Sequence, residues 1–283
     1  MSGNMAARNE PNAALTKVAP SWLSEAAQGD TSVDSLAQYK TLPRLNVLQG
    51  MSDPGLKDKF GEGSVIVRPG DVLVIDKHGS FDFVPLINFT EYIAWNDRQD
   101  KSQPAIQART FDPAGDIAAR CRDSARRTEM YGPPDPKGVL PFTRRFVEHL
   151  CFGGVIYGNH PLVSVEVSFN FSRAEFARGT AFVNAILMRR VNGSPAPLWA
   201  QVWRFNVGIR NNQKGRWYGL DYNCPENPWI EEALVGKFRE THVALKELLA
   251  KQRLLVDRAD EDGDGIVTST TISDKELEAN AKF

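Results

Sequence analysis

The stretch Val163–Phe171 constrains the fold more than any other part of the chain. Val163, Val165, Val167, Phe169 and Phe171 alternate with Ser164, Glu166, Ser168 and Asn170. Successive side chains on a strand point to opposite faces, so the pattern predicts one buried and one wet face. Such a strand needs neighbours in a sheet and a core on one side, and 283 residues can supply both. Ser64–Val67 and Val72–Ile75 are β-branched runs separated by the turn pair Pro69-Gly70. Phe81–Phe89 and Tyr92–Trp95 continue in the same manner after His78-Gly79. Strands so short and so close predict an antiparallel meander or a small barrel.

Helices are expected around that sheet. Ser172-Arg173-Ala174-Glu175 has the form of a capping box, which predicts a helix to about Arg190 with Phe176, Val183 and Leu187 facing the sheet. Asn192-Gly193-Ser194 and the prolines beyond it end this helix. A second alternating strand runs through Trp199, Trp203, Phe205, Val207 and Ile209, slightly irregular at Gln201. Asn211–Gly215 has hairpin-loop composition and leads into Arg216–Leu220. Asn227 and Pro228 then predict the cap and first residue of an amphipathic helix over Trp229–Leu255. Earlier in the chain, Asp116–Met130 reads as a helix, and the prolines of Tyr131–Gly138 predict a loop. The fold class that follows is α+β, an antiparallel β core with flanking helices over residues 41–256. Residues 1–40, rich in Ala, Ser, Asn and Gln without a period, are expected to form a disordered N-terminal arm. Residues 257–283 form an acidic C-terminal tail.

Charge divides the chain. Between Arg98 and Leu220 stand 18 Lys or Arg against 9 Asp or Glu, an excess of nine positive charges. Residues 257–283 hold 3 against 8, an excess of five negative charges. A basic body joined to an acidic tail sets up a field that the net charge of −1 conceals. It suits a polyanionic partner, although a merely solvated basic surface gives the same count. No apolar run reaches the length of a membrane span, and the first residues lack the basic and apolar segments of a signal peptide. Cys121, Cys151 and Cys224 are far apart and odd in number, which fits reduced thiols. A cytoplasmic location without a membrane partner is therefore expected.

The densest mixture of flat and cationic side chains lies in the Trp199–Tyr218 hairpin. Trp203, Phe205, Trp217 and Tyr218 stand among Arg204, Arg210, Lys214 and Arg216. Proteins that hold single strands need cations along the phosphates and rings on which bases stack. Strand alternation divides this cluster. Trp203, Phe205, Val207 and Ile209 share one face, which core packing explains equally well, and Arg204 and Arg210 lie on the other. Trp217 and Tyr218 point in opposite directions. Arg120, Arg122, Arg126 and Arg127 on the Asp116–Met130 helix, with Arg144 and Arg145, extend a phosphate-tracking groove or form a solvated face.

Asp260, Asp262 and Asp264, with Gly265 at the sixth position, match the first half of a calcium loop. The carbonyl of Ile266 would complete the set. Position twelve is Thr271, where such a loop needs a bidentate Glu, so a flexible acidic tail is the competing reading. Cys121, Cys151, Cys224, His149 and His160 lack the close C-x-x-C spacing of structural zinc. No G-x-S-x-G or H-E-x-x-H is present, and the carboxylates Asp76, Asp82 and Glu91 near the strands suit a structural role. A non-catalytic protein is expected.

Leu42–Trp95 (LPRLNVLQGMSDPGL, a Gly-Asp turn, then FVPLINFTEYIAW) is similar to proteins encoded in bacteriophage replication and recombination regions. The later order of strand, capped helix and Trp-rich hairpin resembles phage single-stranded DNA-binding proteins of the OB-fold type. That resemblance implies an OB-like barrel that coats unwound DNA in DNA replication and recombination, inside the host cytoplasm. It also implies an acidic tail, here Asp257–Phe283, that competes with DNA and recruits replication proteins. A homo-oligomer is compatible with it. The long helix before the tail, and Lys275 and Lys282 within it, depart from the family pattern. A tethered tail has a high effective concentration at its own basic groove. Deleting 257–283 should then tighten DNA binding at low salt, and unchanged affinity would reject the competition. A phage structural or assembly protein is the alternative.

Overall fold

The computed structural model describes residues 39–96, 105–126, 146–158, 160, 162, 165–212 and 215–258. Within them the chain is α+β. Strands β1 (Lys40–Leu42) and β2 (Arg44–Val47) lead to helix α1 (Pro54–Phe60), then to β3 (Val65–Arg68) and β4 (Val72–Ile75). The long strand β5 (Ser80–Trp95) follows, with β6 (Ile106–Thr110), α2 (Asp116–Arg126) and β7 (Phe146–Tyr157) after it. Next come β8 (Glu166–Ser172), α3 (Phe176–Met188) and the small hairpin of β9 (Arg190–Val191) and β10 (Ser194–Pro195). The hairpin of β11 (Trp203–Asn212) and β12 (Gly215–Asn223), helix α4 (Val235–Ala250) and β13 (Leu254–Val256) complete the order.

The main sheet runs β12-β11-β5-β7-β8-β2-β3-β4, and β6 pairs with β5. Its neighbours are antiparallel except β2 and β8, which meet in parallel at Arg44 and Ser168. The sheet curls until its β12 edge returns to the segment after β2. There the Gln49 amide imitates a strand. Its Nε2 donates to the Tyr218 carbonyl and its Oε1 accepts the Tyr218 N–H, both at 2.8 Å.

Apolar side chains cover both faces of the sheet. Phe83, Phe152, Phe169, Phe171 and Phe205 pack with Phe182 and Ile186 of α3 in one cluster. Val84, Leu86, Val155 and Val202 pack with Phe238 and Leu245 of α4 and with Leu254 and Val256 of β13 in another. The β5–β7 register shifts between Pro85 and Ile87, and the skipped Leu86 carbonyl bonds the ring of His242 on α4 at 2.6 Å. Helix α2 seals Tyr92 and Ala94 with Ile117, Ala118 and Cys121.

Several local expectations need correction. Phe81–Phe89 and Tyr92–Trp95 are one strand, because the intervening Glu91 is buried rather than at a break. The charge of Glu91 is met by Arg258, 2.7 Å away, and by Arg109 at 3.6 Å. Val167, Phe169 and Phe171 are buried as expected, but Val165 is exposed, and Ser168 on the supposedly wet face is buried, its hydroxyl donating to the Pro43 carbonyl. Val163 and Ser164 lie outside the described residues.

Ser172 makes no side-chain cap. A 3-10 turn, Arg173–Glu175, precedes α3 instead. Leu187 is exposed, and Phe182 and Ile186 fill the core in its place. Trp199 belongs to a 3-10 turn, so the strand starts at Trp203. Trp229 forms a β-bridge with Gln201, and this delays the last helix to Val235. That helix ends at Ala250, and Leu254–Val256 returns as a buried strand beside β1. Tyr131–Gly138 and residues 259–283 fall outside the described part.

Candidate nucleic-acid interface

The β11–β12 hairpin places Arg210 opposite Trp217 and Gly208 opposite Gly219 in its register. Partners across a hairpin share a face, so these four and Asp221, two residues beyond Gly219, lie together. The start of α3 meets them with Glu175 and Arg178. Arg210 forms a bidentate pair with Asp221, at 2.8 and 3.2 Å. Arg178 also bonds Asp221. Glu175 accepts the Trp217 indole N–H at 2.9 Å. The other contacts of Glu175 are looser. Arg210 Nε stands 3.5 Å and Arg178 Nε 3.6 Å from its oxygens, ion-pair distances without a hydrogen bond.

Glu175, Arg178, Arg210 and Trp217 line an open groove of about 580 Å³ with Ala174, Ala177, Ala181 and Tyr222. The alanines fall at i, i+3 and i+7 on one helical stripe, which gives the groove a smooth floor. Trp217 forms a half-buried wall whose orientation is set by its bond to Glu175. Burial pushes the Tyr222 phenol up, against the opposing pull of Arg178.

The other sequence candidates are dispersed. Arg204 forms a bidentate pair with Asp82, at 2.7 and 2.9 Å. Arg216 is exposed on the hairpin, where it donates to the Tyr218 hydroxyl at 2.9 Å and lies over that ring. Tyr218 packs against Gly63 on the side away from Trp217. Trp203 and Phe205 are core residues, and one face of Trp203 is covered by the Arg189 guanidinium at 3.6 Å. Arg120 pairs with Asp116 at 2.8 Å and lies over Phe146. Arg122 donates to the Pro113 carbonyl and lies over Tyr92. Arg126 ends α2. Arg127, Arg144, Arg145 and Lys214 lie outside the described residues, as do Asp260, Asp262, Asp264 and Ile266. Among the described residues no three His, Cys, Asp or Glu side chains converge as a metal site, and no helix is long and apolar enough to cross a membrane.

Sequence reasoning missed Arg178, Glu175 as an anchor, and Asp221. Two signals were present. Isolated glycines inside strands mark a close approach, and Gly208 and Gly219 lie beneath these charges. Glu175 and Arg178 are also spaced as an i,i+3 pair.

A family model described as Pam3 phage gp34-like protein matches residues 12–228. No curated protein and no solved structure matches the chain.

Proposed function

We propose that this chain, which belongs to the Pam3 phage gp34-like protein family, is a non-catalytic single-stranded DNA-binding protein of phage replication or recombination. The observation that carries the reading is Trp217, a half-buried indole fixed by Glu175 at the wall of an open groove beside Arg178. A ring held in one orientation next to a smooth floor is what a stacking site requires, and it costs little ordering on binding. The nine-charge excess between Arg98 and Leu220 adds the attraction that a polyanion needs. Among the described residues the main sheet holds nine strands where an OB barrel has five, so the proposal rests on the groove and not on that fold class.

Titrating the full chain into labelled single-stranded and duplex oligonucleotides at two salt concentrations tests the reading. Tighter binding to the single strand, falling steeply with salt, is expected. A flat titration for both rejects it. A role in virion assembly is the second reading, favoured by the exposed Leu187 and Met188 at the end of α3 and Val191 on β9. It predicts a large oligomer with no preference for single strands.

A further inference from the structure

The charges of the groove cancel within it. Arg178 and Arg210 each face both Glu175 and Asp221 at 3.6 Å or less. A phosphate entering here would meet Glu175 and Asp221 alongside the guanidiniums, each of which already has a carboxylate partner. Displacing Asp221 from Arg210 would strip a bidentate pair whose arginine side chain is only 13% exposed. Desolvated pairs of this kind resist exchange far more than surface ion pairs. The walls point the other way. Ala174, Ala177 and Ala181 offer no polar atom of their side chains, and the Trp217 indole offers a flat apolar surface whose one N–H is already used.

Arg178, which lines the groove with Trp217, is the most exposed of the four charged groups at 39%. A donor beside a flat ring, its charge already balanced by carboxylates, suits a neutral heteroaromatic base whose edge carries carbonyl acceptors. We infer that the groove receives the base of a single strand and excludes its phosphate. This inference rests on the single-strand reading above. The phosphate-dependent part of the affinity then comes from cations outside the groove, such as the exposed Arg216 on the hairpin.

The test compares the full-length protein on oligo-dT and on an abasic oligonucleotide of equal length, which keeps every phosphate and removes every base. Oligo-dT should bind more tightly, on the order of tenfold for each base that stacks. In parallel, Arg178→Met should leave the dependence of log affinity on log salt unchanged, whereas Arg216→Met should reduce that slope by about one. Equal affinity for the two oligonucleotides overturns the inference while leaving single-strand binding standing. So does a fall of about one in the slope for Arg178→Met. Absence of binding to oligo-dT itself rejects the single-strand reading, and the inference falls with it.

Discussion

Gly208 and Gly219 carry no side chain, and this lets four charged groups lie flat on the hairpin. A Cβ on Gly219 would stand 2.7 Å from Glu175 Oε2, and one on Gly208 would collide with Asp221 and Arg210. The charged ends could swing aside only by leaving their pairs. Gly219→Ala should therefore release Glu175 from Trp217 and cost about 1–3 kcal/mol, the usual range for overpacking. A lowered denaturation midpoint with altered tryptophan emission is the expected result. His160 supplies a separate check. Its Nδ1 accepts the Leu162 amide at 3.1 Å, so a second ring proton would break that bond. Burial pushes its pKa below the usual histidine range, against a hydrogen bond to the Val74 backbone that raises it. A group depressed in the folded state contributes stability above its unfolded value of about 6.5, and loses it as pH falls through the folded value. Stability should decline as pH falls below about 6.5, and His160→Gln should make that decline shallower. Parallel pH curves for the two proteins would contradict this.

Gln49 joins two elements 169 residues apart in sequence. Bonding both the N–H and C=O of Tyr218, it occupies the exposed edge of β12 at one point, where an unpaired edge invites another strand. Gln49→Ala should cost about 1–3 kcal/mol, two net hydrogen bonds at about 0.5–1.5 each, and should speed amide exchange at Tyr218. Unchanged exchange there would refute the latch. Glu91 and Arg258 join β5 to the end of the described chain, 167 residues away. Both side chains are almost fully buried. Breaking such a pair from one side typically costs about 3–5 kcal/mol, while replacing both by apolar residues is often neutral. Arg258→Met alone should destabilise strongly in denaturant unfolding, and Glu91→Leu with Arg258→Met should recover most of the loss. These contacts show why elements were legible from local sequence and their joints were not. Val167, Phe169 and Phe171 announce β8 because their alternation follows the pleat, whereas the burial of Ser168 depends on Pro43, which no local pattern shows. Glu175, in contrast, has a capping-box position but bonds Trp217, 42 residues on. Glu91 stands between two apolar runs, and the arginines that meet its charge, Arg109 and Arg258, lie beyond any local window.

At the scale of the molecule, a curled sheet is covered on one face by α3 and on the other by α4 and β13. The β11–β12 hairpin carries the groove where α3 begins. Sequence composition pointed to this hairpin, through Trp217 and the arginines around it, and read those arginines as candidate phosphate contacts. In the fold Arg204 pairs with Asp82 and Arg210 with Asp221, and Trp217 is the feature on which the proposed function depends. The most direct measurement is the affinity of wild type and Trp217→Ala for a fluorescent oligo-dT at fixed salt, with circular dichroism to confirm an unchanged fold. The account predicts binding by the wild type and a loss of about 1–3 kcal/mol in the variant, the contribution of one stacked base. Equal affinities, or no binding by the wild type, would contradict it.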